Sequence, residues 1–156
     1  MFSKKETTGR EGAILLSALV VAVVVLLFRN LGLYPSVMDD EYAYSKFARL
    51  LPFDKSVFPD YVYYVVYRIT SRCGDGFLDC ARMLNVAFFV GAAPFIYMMG
   101  SRVTGKKTAL LVVVLTLLGP TNVYTAFFMP ESMYFFFFWA FTWLFLRAWE
   151  RKGIWI

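Results

Sequence analysis

Four long apolar stretches alternate with charged or turn-forming segments along the 156 residues, and their lengths set the expected architecture. The first runs from about Gly12 to Phe28 without a charge. The second, from about Met83 to Met99, contains Pro94, which removes a helical hydrogen bond and predicts a kink. The third, from about Thr108 to Ala126, is interrupted by Gly119-Pro120. The fourth, from about Ser132 to Leu146, carries Phe135-Phe136-Phe137-Phe138 and two tryptophans. With interfacial residues at each end, every stretch approaches the roughly 20 residues a helix needs to cross a bilayer. The pattern predicts an all-α integral membrane protein with four transmembrane helices in a single module over residues 1–156.

Residues 29–82 follow a different rhythm. Leu50-Leu51-Pro52 and Phe58-Pro59 divide them into two helical pieces, about Met38 to Leu51 and Asp60 to Ser71, and Gly74-Asp75-Gly76 predicts a turn before the second span. The second piece holds Tyr61, Tyr63, Tyr64 and Tyr67 among valines and is too short to span. It is expected to lie along the membrane surface, with its tyrosines at headgroup level.

Composition agrees: 60% hydrophobic and 20% aromatic residues, with a mean hydropathy of +0.59, exceed what a soluble core of this size can hide. The net charge of +5 does not indicate nucleic acid, because no basic run exceeds Lys4-Lys5 or Lys106-Lys107. With no histidine and two cysteines, zinc and iron–sulfur ligation have almost no material. Cys73 and Cys80 pair if they lie outside the cytosol, or else serve as small apolar fillers, the plainer expectation. The N-terminus has a positive start without a small-residue cleavage site, so the first helix is read as retained.

Basic residues set the orientation. Lys4, Lys5 and Arg10 precede the first span, Arg102, Lys106 and Lys107 fill the turn between the second and third, and Arg147, Arg151 and Lys152 follow the fourth. These patches belong on the cytoplasmic side, which makes both termini cytoplasmic. The 29–82 loop balances Arg29, Lys46, Arg49, Lys55, Arg68, Arg72 and Arg82 against Asp39, Asp40, Glu41, Asp54, Asp60, Asp75 and Asp79, and faces the periplasm, lumen or exterior.

Three consecutive acids, Asp39-Asp40-Glu41, therefore stand where the chain leaves the membrane. Asp40, Tyr44, Phe47 and Leu51 recur at i, i+4, i+7 and i+11, so Asp40 heads an apolar stripe and is expected to point inward. Asp39 shares a face with Tyr42, Lys46 and Arg49, and Glu41 lies over Ser45 and Arg49. The bland alternative is that all three open a solvated helix, with Ser36 three residues before Asp39 resembling a capping box. Glu131 is a fourth acid of interest: no Lys or Arg lies between Lys107 and Arg147. It either complements the dipole of a helix begun by Pro130 or converges with Asp40 on one cavity at the outer leaflet.

Asp40-Glu41-x-x-Tyr44-x-x-x-x-Arg49 resembles the Asp-Glu motif in the first outer loop of GT-C glycosyltransferases, particularly the protein O-mannosyltransferase and lipid A aminoarabinose transferase branch. The order that follows is also similar: a proline-led aromatic helix from Pro59 to Tyr67, a glycine turn at Gly76, Ala81-Arg82-x-Leu84-Asn85 opening the second span, and an acid-Ser pair, Glu131-Ser132, opening the fourth. The likeness covers about Ile14 to Lys152. It departs where aminoarabinose-type relatives carry a basic residue before the motif tyrosine and a Lys-Pro before the second loop helix; here stand Ala43 and Phe58-Pro59.

The resemblance implies a transferase that takes a sugar from a polyprenyl-phosphate donor to an acceptor hydroxyl at the extracytoplasmic face, beside membrane lipid. Asp40 and Glu131 are then the catalytic candidates, and Glu41, Tyr44, Arg49, Lys55, Arg72 and Arg82 the substrate-binding ones. The leaving phosphate calls for a cation, for which Lys55, Arg68, Arg72 and Arg82 are available, although each could instead anchor lipid headgroups, the plainer role for Lys55 and Arg68. Asp39 and Asp40 would permit Mg²⁺ or Mn²⁺ without requiring it. Members of that family have about twice as many spans or more, so the expectation is a fragment or N-terminal module completed by further helices or a partner subunit. The competing class is a non-catalytic four-helix subunit of a lipid-carrier flippase or glycosylation complex. A channel or transporter fragment would instead carry charges within its spans, which are nearly charge-free.

Overall fold

A computed structural model describes residues 9–32, 39–56 and 59–151, and every regular element among them is helical. Helix α1 is Gly9–Asn30, α2 Asp39–Arg49, α3 Tyr61–Tyr67, α4 Phe77–Gly91, α5 Ala93–Val103, α6 Lys106–Leu118 and α7 Glu131–Arg151. Short 3₁₀ turns occupy Phe53–Lys55, Arg68–Gly76 and Pro120–Ala126.

Proline and glycine set the breaks. The helical run from Tyr61 to Val103 covers 43 residues, about 65 Å at 1.5 Å per residue. Laid straight, that is twice the roughly 30 Å of a hydrocarbon core. Gly74 breaks the run with φ 55° and ψ −127°, a conformation that a side chain would strain. Pro94 sits in the first turn of α5 at the α4–α5 junction, where its missing N–H costs least. Gly119-Pro120 ends α6 and bends the path by 49° into the following 3₁₀ turn. By length and composition two helices can cross a membrane, Gly12–Asn30 and the Tyr61–Val103 run, or three if the bent pair is one span. The protein is a membrane protein on these grounds.

Helix α4 is the hub, packing against α1 and α7 and against the 3₁₀ turns on either side of the molecule. One core joins Leu26 of α1 to Val86, Phe89 and Val90 of α4, Ile96 of α5 and Val113 and Leu117 of α6. A second joins Phe47 and Ala48 of α2 to Tyr63, Tyr64 and Tyr67 of α3, Ala81 of α4, and Phe128 and Met133 around the start of α7.

The second core corrects two expectations. Tyr63, Tyr64 and Tyr67 have no exposed surface; their rings pack on one another, with Tyr63 and Tyr67 stacked 4.2 Å apart. Only Tyr61 of the four faces outward. They are core residues, because α2 and the Phe128 segment cover the α3 face that a bare surface helix would give to headgroups. Cys73 and Cys80 are not fillers. They form a disulfide, with Cα atoms 6.6 Å apart, that bridges the Gly74 kink and ties the 3₁₀ turn to α4.

Candidate functional site

Between the Pro120–Ala126 turn and α7 the backbone leaves helical geometry, with Phe127 extended at φ −108° and ψ 154°. An extended segment inside a helical protein has peptide groups that no helix pairs, and buried ones must find partners. Three consecutive residues find them in side chains from two other helices. Arg82 Nε donates to Ala126 O at 3.1 Å, Asn85 Nδ2 donates to Phe127 O at 2.5 Å, and Phe128 N donates to Glu41 Oε1 at 2.8 Å. Arg82 is further held by Asp79 at 2.9 Å, and Asn85 accepts a bond from the Tyr67 hydroxyl. From the other side, Arg29 donates to Asn122 Oδ1 at 2.6 Å and to Thr125 Oγ1 at 3.0 Å. This clamp fixes where α7 begins, and so fixes Glu131.

The clamp reverses the expected geometry of the acid run. Glu41, not Asp40, is the inward acid: it is 5% exposed and bound to the backbone of Phe128. Asp40 is exposed. Of the expected stripe Phe47 is buried, Tyr44 and Leu51 are half-buried and only Asp40 is exposed; the face that packs most closely is Glu41, Phe47 and Ala48. Asp39 starts α2, but its side chain lies outside the described residues, as do Ser36 and Met38.

Asp40 nonetheless bears on Glu131. Burial raises the pKa of the Glu131 carboxyl above its ordinary value, and the charges of Asp40 and Asp60 raise it further against the opposing pull of its own backbone N–H. Asp60 is the residue sequence reasoning passed over. It stands at the N-cap position of α3 yet makes no side-chain cap bond, because its carboxylate serves two tyrosines. Tyr134 donates to Asp60 Oδ1 at 2.6 Å, and Tyr44 is hydrogen-bonded to Asp60 as well. Burial, followed by Asp60, raises the Tyr44 pKa and keeps the phenol protonated. An Asp directly after Pro59 and before an apolar run was the available signal, and it reads locally as a simple cap.

Three cations gather near the other end of α2. Arg49, Arg68 and Arg72 line a cavity of 570 Å³ with Val65, Ile69 and Ser71, and among the described residues no carboxylate lines it. The Arg49 guanidinium stacks 3.4 Å from the centroid of Phe77. Arg49 and Asp40, nine residues apart on one helix, are separated by about 14 Å along its axis. Lys55 is exposed on the Phe53–Lys55 turn and does not line this cavity. Arg82 belongs to the clamp. Among the described residues no three carboxylates or cysteines come together as a metal cage.

Comparison of the chain with protein-family models, with curated proteins and with solved structures gives no match. The geometry therefore has to carry the functional reading. It offers an exposed carboxylate, a half-buried carboxyl with raised proton affinity, and a polybasic cavity with apolar walls.

Proposed function

We propose that the chain is a membrane module of a GT-C-type glycosyltransferase, moving a sugar from a polyprenyl-phosphate donor to an acceptor hydroxyl at the extracytoplasmic face. The observation that carries this reading is the half-buried Glu131 carboxyl, whose proton affinity is raised by burial and then by the charges of Asp40 and Asp60, on a scaffold that also forms the tri-arginine cavity. In this scheme α7 is the fourth span, the bent α6 pair the third, and both termini are cytoplasmic. The Cys73–Cys80 disulfide favours that orientation, since disulfides persist on the oxidising side of a membrane.

Asp40, in contact with water, takes the proton of the acceptor hydroxyl as its oxygen bonds to the sugar carbon. The bond from that carbon to the phosphate oxygen breaks, and its electron pair leaves on the phosphate. The positive field of Arg49, Arg68 and Arg72 favours that departing charge from a distance, while Val65 and Ile69 supply apolar surface for the start of the prenyl chain. Glu131, whose proton affinity burial raises, orients the reacting oxygen by hydrogen bonding. Glu41 and Arg82 support the site from the clamp and touch no substrate.

Asp40→Asn tests the scheme in the full-length protein or reconstituted complex with a radiolabelled polyprenyl-phosphate sugar. Asn keeps size and polarity but cannot accept the proton. Transfer should fall about a hundred- to ten-thousandfold while expression is unchanged; a wild-type rate would remove Asp40 from the chemistry. The second reading is a non-catalytic subunit of a glycosylation or flippase complex. It is favoured by the internal bonds that occupy Glu41 and Arg82, and it predicts that the complex transfers sugar equally well with Asp or Asn at position 40.

A further inference from the structure

Glu131 lines a recess of 120 Å³ together with Phe89, Thr121, Tyr124, Ser132 and Phe135. Glu131 Oε2 and Ser132 Oγ are both buried, and neither meets a hydrogen-bond partner among the described residues. A helical serine or threonine ordinarily donates to the carbonyl one turn back. Thr104, Thr116 and Thr142 do so at 3.0, 2.8 and 2.6 Å. Ser132, only 2% exposed, is the second residue of α7, so no helical turn precedes it and its hydroxyl lacks that carbonyl. Its hydroxyl is left for something that enters the recess, because a buried polar group without a partner costs about 1–3 kcal/mol.

Size and lining indicate the kind of guest. One water needs about 10–15 Å³ by this measure, so the recess has roughly ten times the room that pairing either oxygen would take. Phe89 and Phe135 offer apolar ring surface, and Thr121, Tyr124, Ser132 and Glu131 offer hydroxyls and a carboxyl. Among the described residues no cation lines the recess, so it does not suit a phosphate. A sugar ring presents the matching surface, with apolar C–H faces and a rim of hydroxyls that both donate and accept. We infer that this recess is a glycosyl subsite in which Ser132, Thr121 and the Glu131 carboxyl bond ring hydroxyls against the Phe89–Phe135 wall. The inference rests on the transferase reading and names where the sugar of that reaction sits.

Saturation-transfer NMR on the full chain in lipid nanodiscs tests it, using a panel of methyl glycosides of hexoses, N-acetylhexosamines and pentoses. At least one glycoside should receive saturation from the protein aromatics above the empty-nanodisc level. Ser132→Ala and Thr121→Val should each lower that signal several-fold without shifting the melting temperature. If Ser132→Ala does not fold, Thr121→Val decides alone, since Thr121 is exposed on the 3₁₀ turn. The inference is overturned if no glycoside exceeds the background, or if the signal survives in the folded variants. Asp40→Asn should keep the glycoside signal, which separates the two readings. A chain that binds glycoside without transferring sugar loses only the transferase scheme, and transfer unaffected at Ser132 and Thr121 loses only the recess.

Discussion

Adjacent acids on α2 should fail in opposite ways when truncated. Glu41→Ala removes the acceptor of the Phe128 N–H, a buried bond of 2.8 Å to a carboxylate. A hydrogen bond to a charged group is worth about 1.5–3 kcal/mol net, and the stranded N–H prevents water from restoring it. We therefore expect a loss of about 2–3 kcal/mol, a roughly 30- to 150-fold fall in the folded-to-unfolded ratio. For a chain of this size that is a melting-temperature drop of about 4–12 °C. Glu41→Gln keeps an acceptor without its charge and should lose about half as much. Asp40→Ala removes an exposed side chain and should stay within about 0.5 kcal/mol of wild type. Thermal unfolding of the four proteins in one detergent at one concentration gives the comparison. If Glu41→Ala melts with wild type, or Asp40→Ala falls as far, the clamp does not hold α7 in the way described.

Two further outcomes follow from the same geometry. The Glu131 pKa is raised in the folded protein, so the native state binds more protons than the unfolded one in the window from the ordinary carboxyl pKa up to the raised value. Stability should fall as pH climbs through that window and level off above it, and Glu131→Gln should flatten the slope in pH-dependent melting curves; an unchanged slope would assign the protons elsewhere. Replacing Cys73 and Cys80 together by serine opens a short loop and should cost about 2–3 kcal/mol by the chain-entropy account. A gel-shift assay with a thiol-reactive polymer should modify wild-type protein only after reduction, and modification before reduction would show that the bridge does not form.

The long elements were legible because their causes are local. Pro94, Gly119-Pro120 and Gly74 break the apolar runs through their own backbone constraints, and the breaks stand where those residues stand. Boundaries were less so: α4 starts at Phe77, ahead of the apolar stretch that begins near Met83, because Leu78 and Ala81 pack beside α3 and the disulfide holds the turn below them. The site's details came from partners far along the chain. Periodicity within α2 selects Asp40 and cannot register that Phe128 supplies an unpaired N–H to Glu41. It likewise counts the α3 tyrosines as surface without knowing that Phe47, Phe128 and Met133 cover them. Asp60 has the local signature of a helix cap, and its two tyrosine partners come from α2 and α7.

The clamp on residues 126–128 also sets an order of birth. Its Glu41 bond closes a separation of 87 residues, which a ribosome adding about 5–20 residues per second covers in roughly 4–17 s. During that interval α2 has been synthesised without the Phe128 N–H that binds Glu41 in the folded protein, while α3 to α6 are still being made. A nascent chain halted before Phe128 would hold Asp40 without Glu131 or the clamp that positions it. Closure of the clamp thus waits for the segment that leads into α7, which arrives as the keystone of an arch whose first stones were laid at α2.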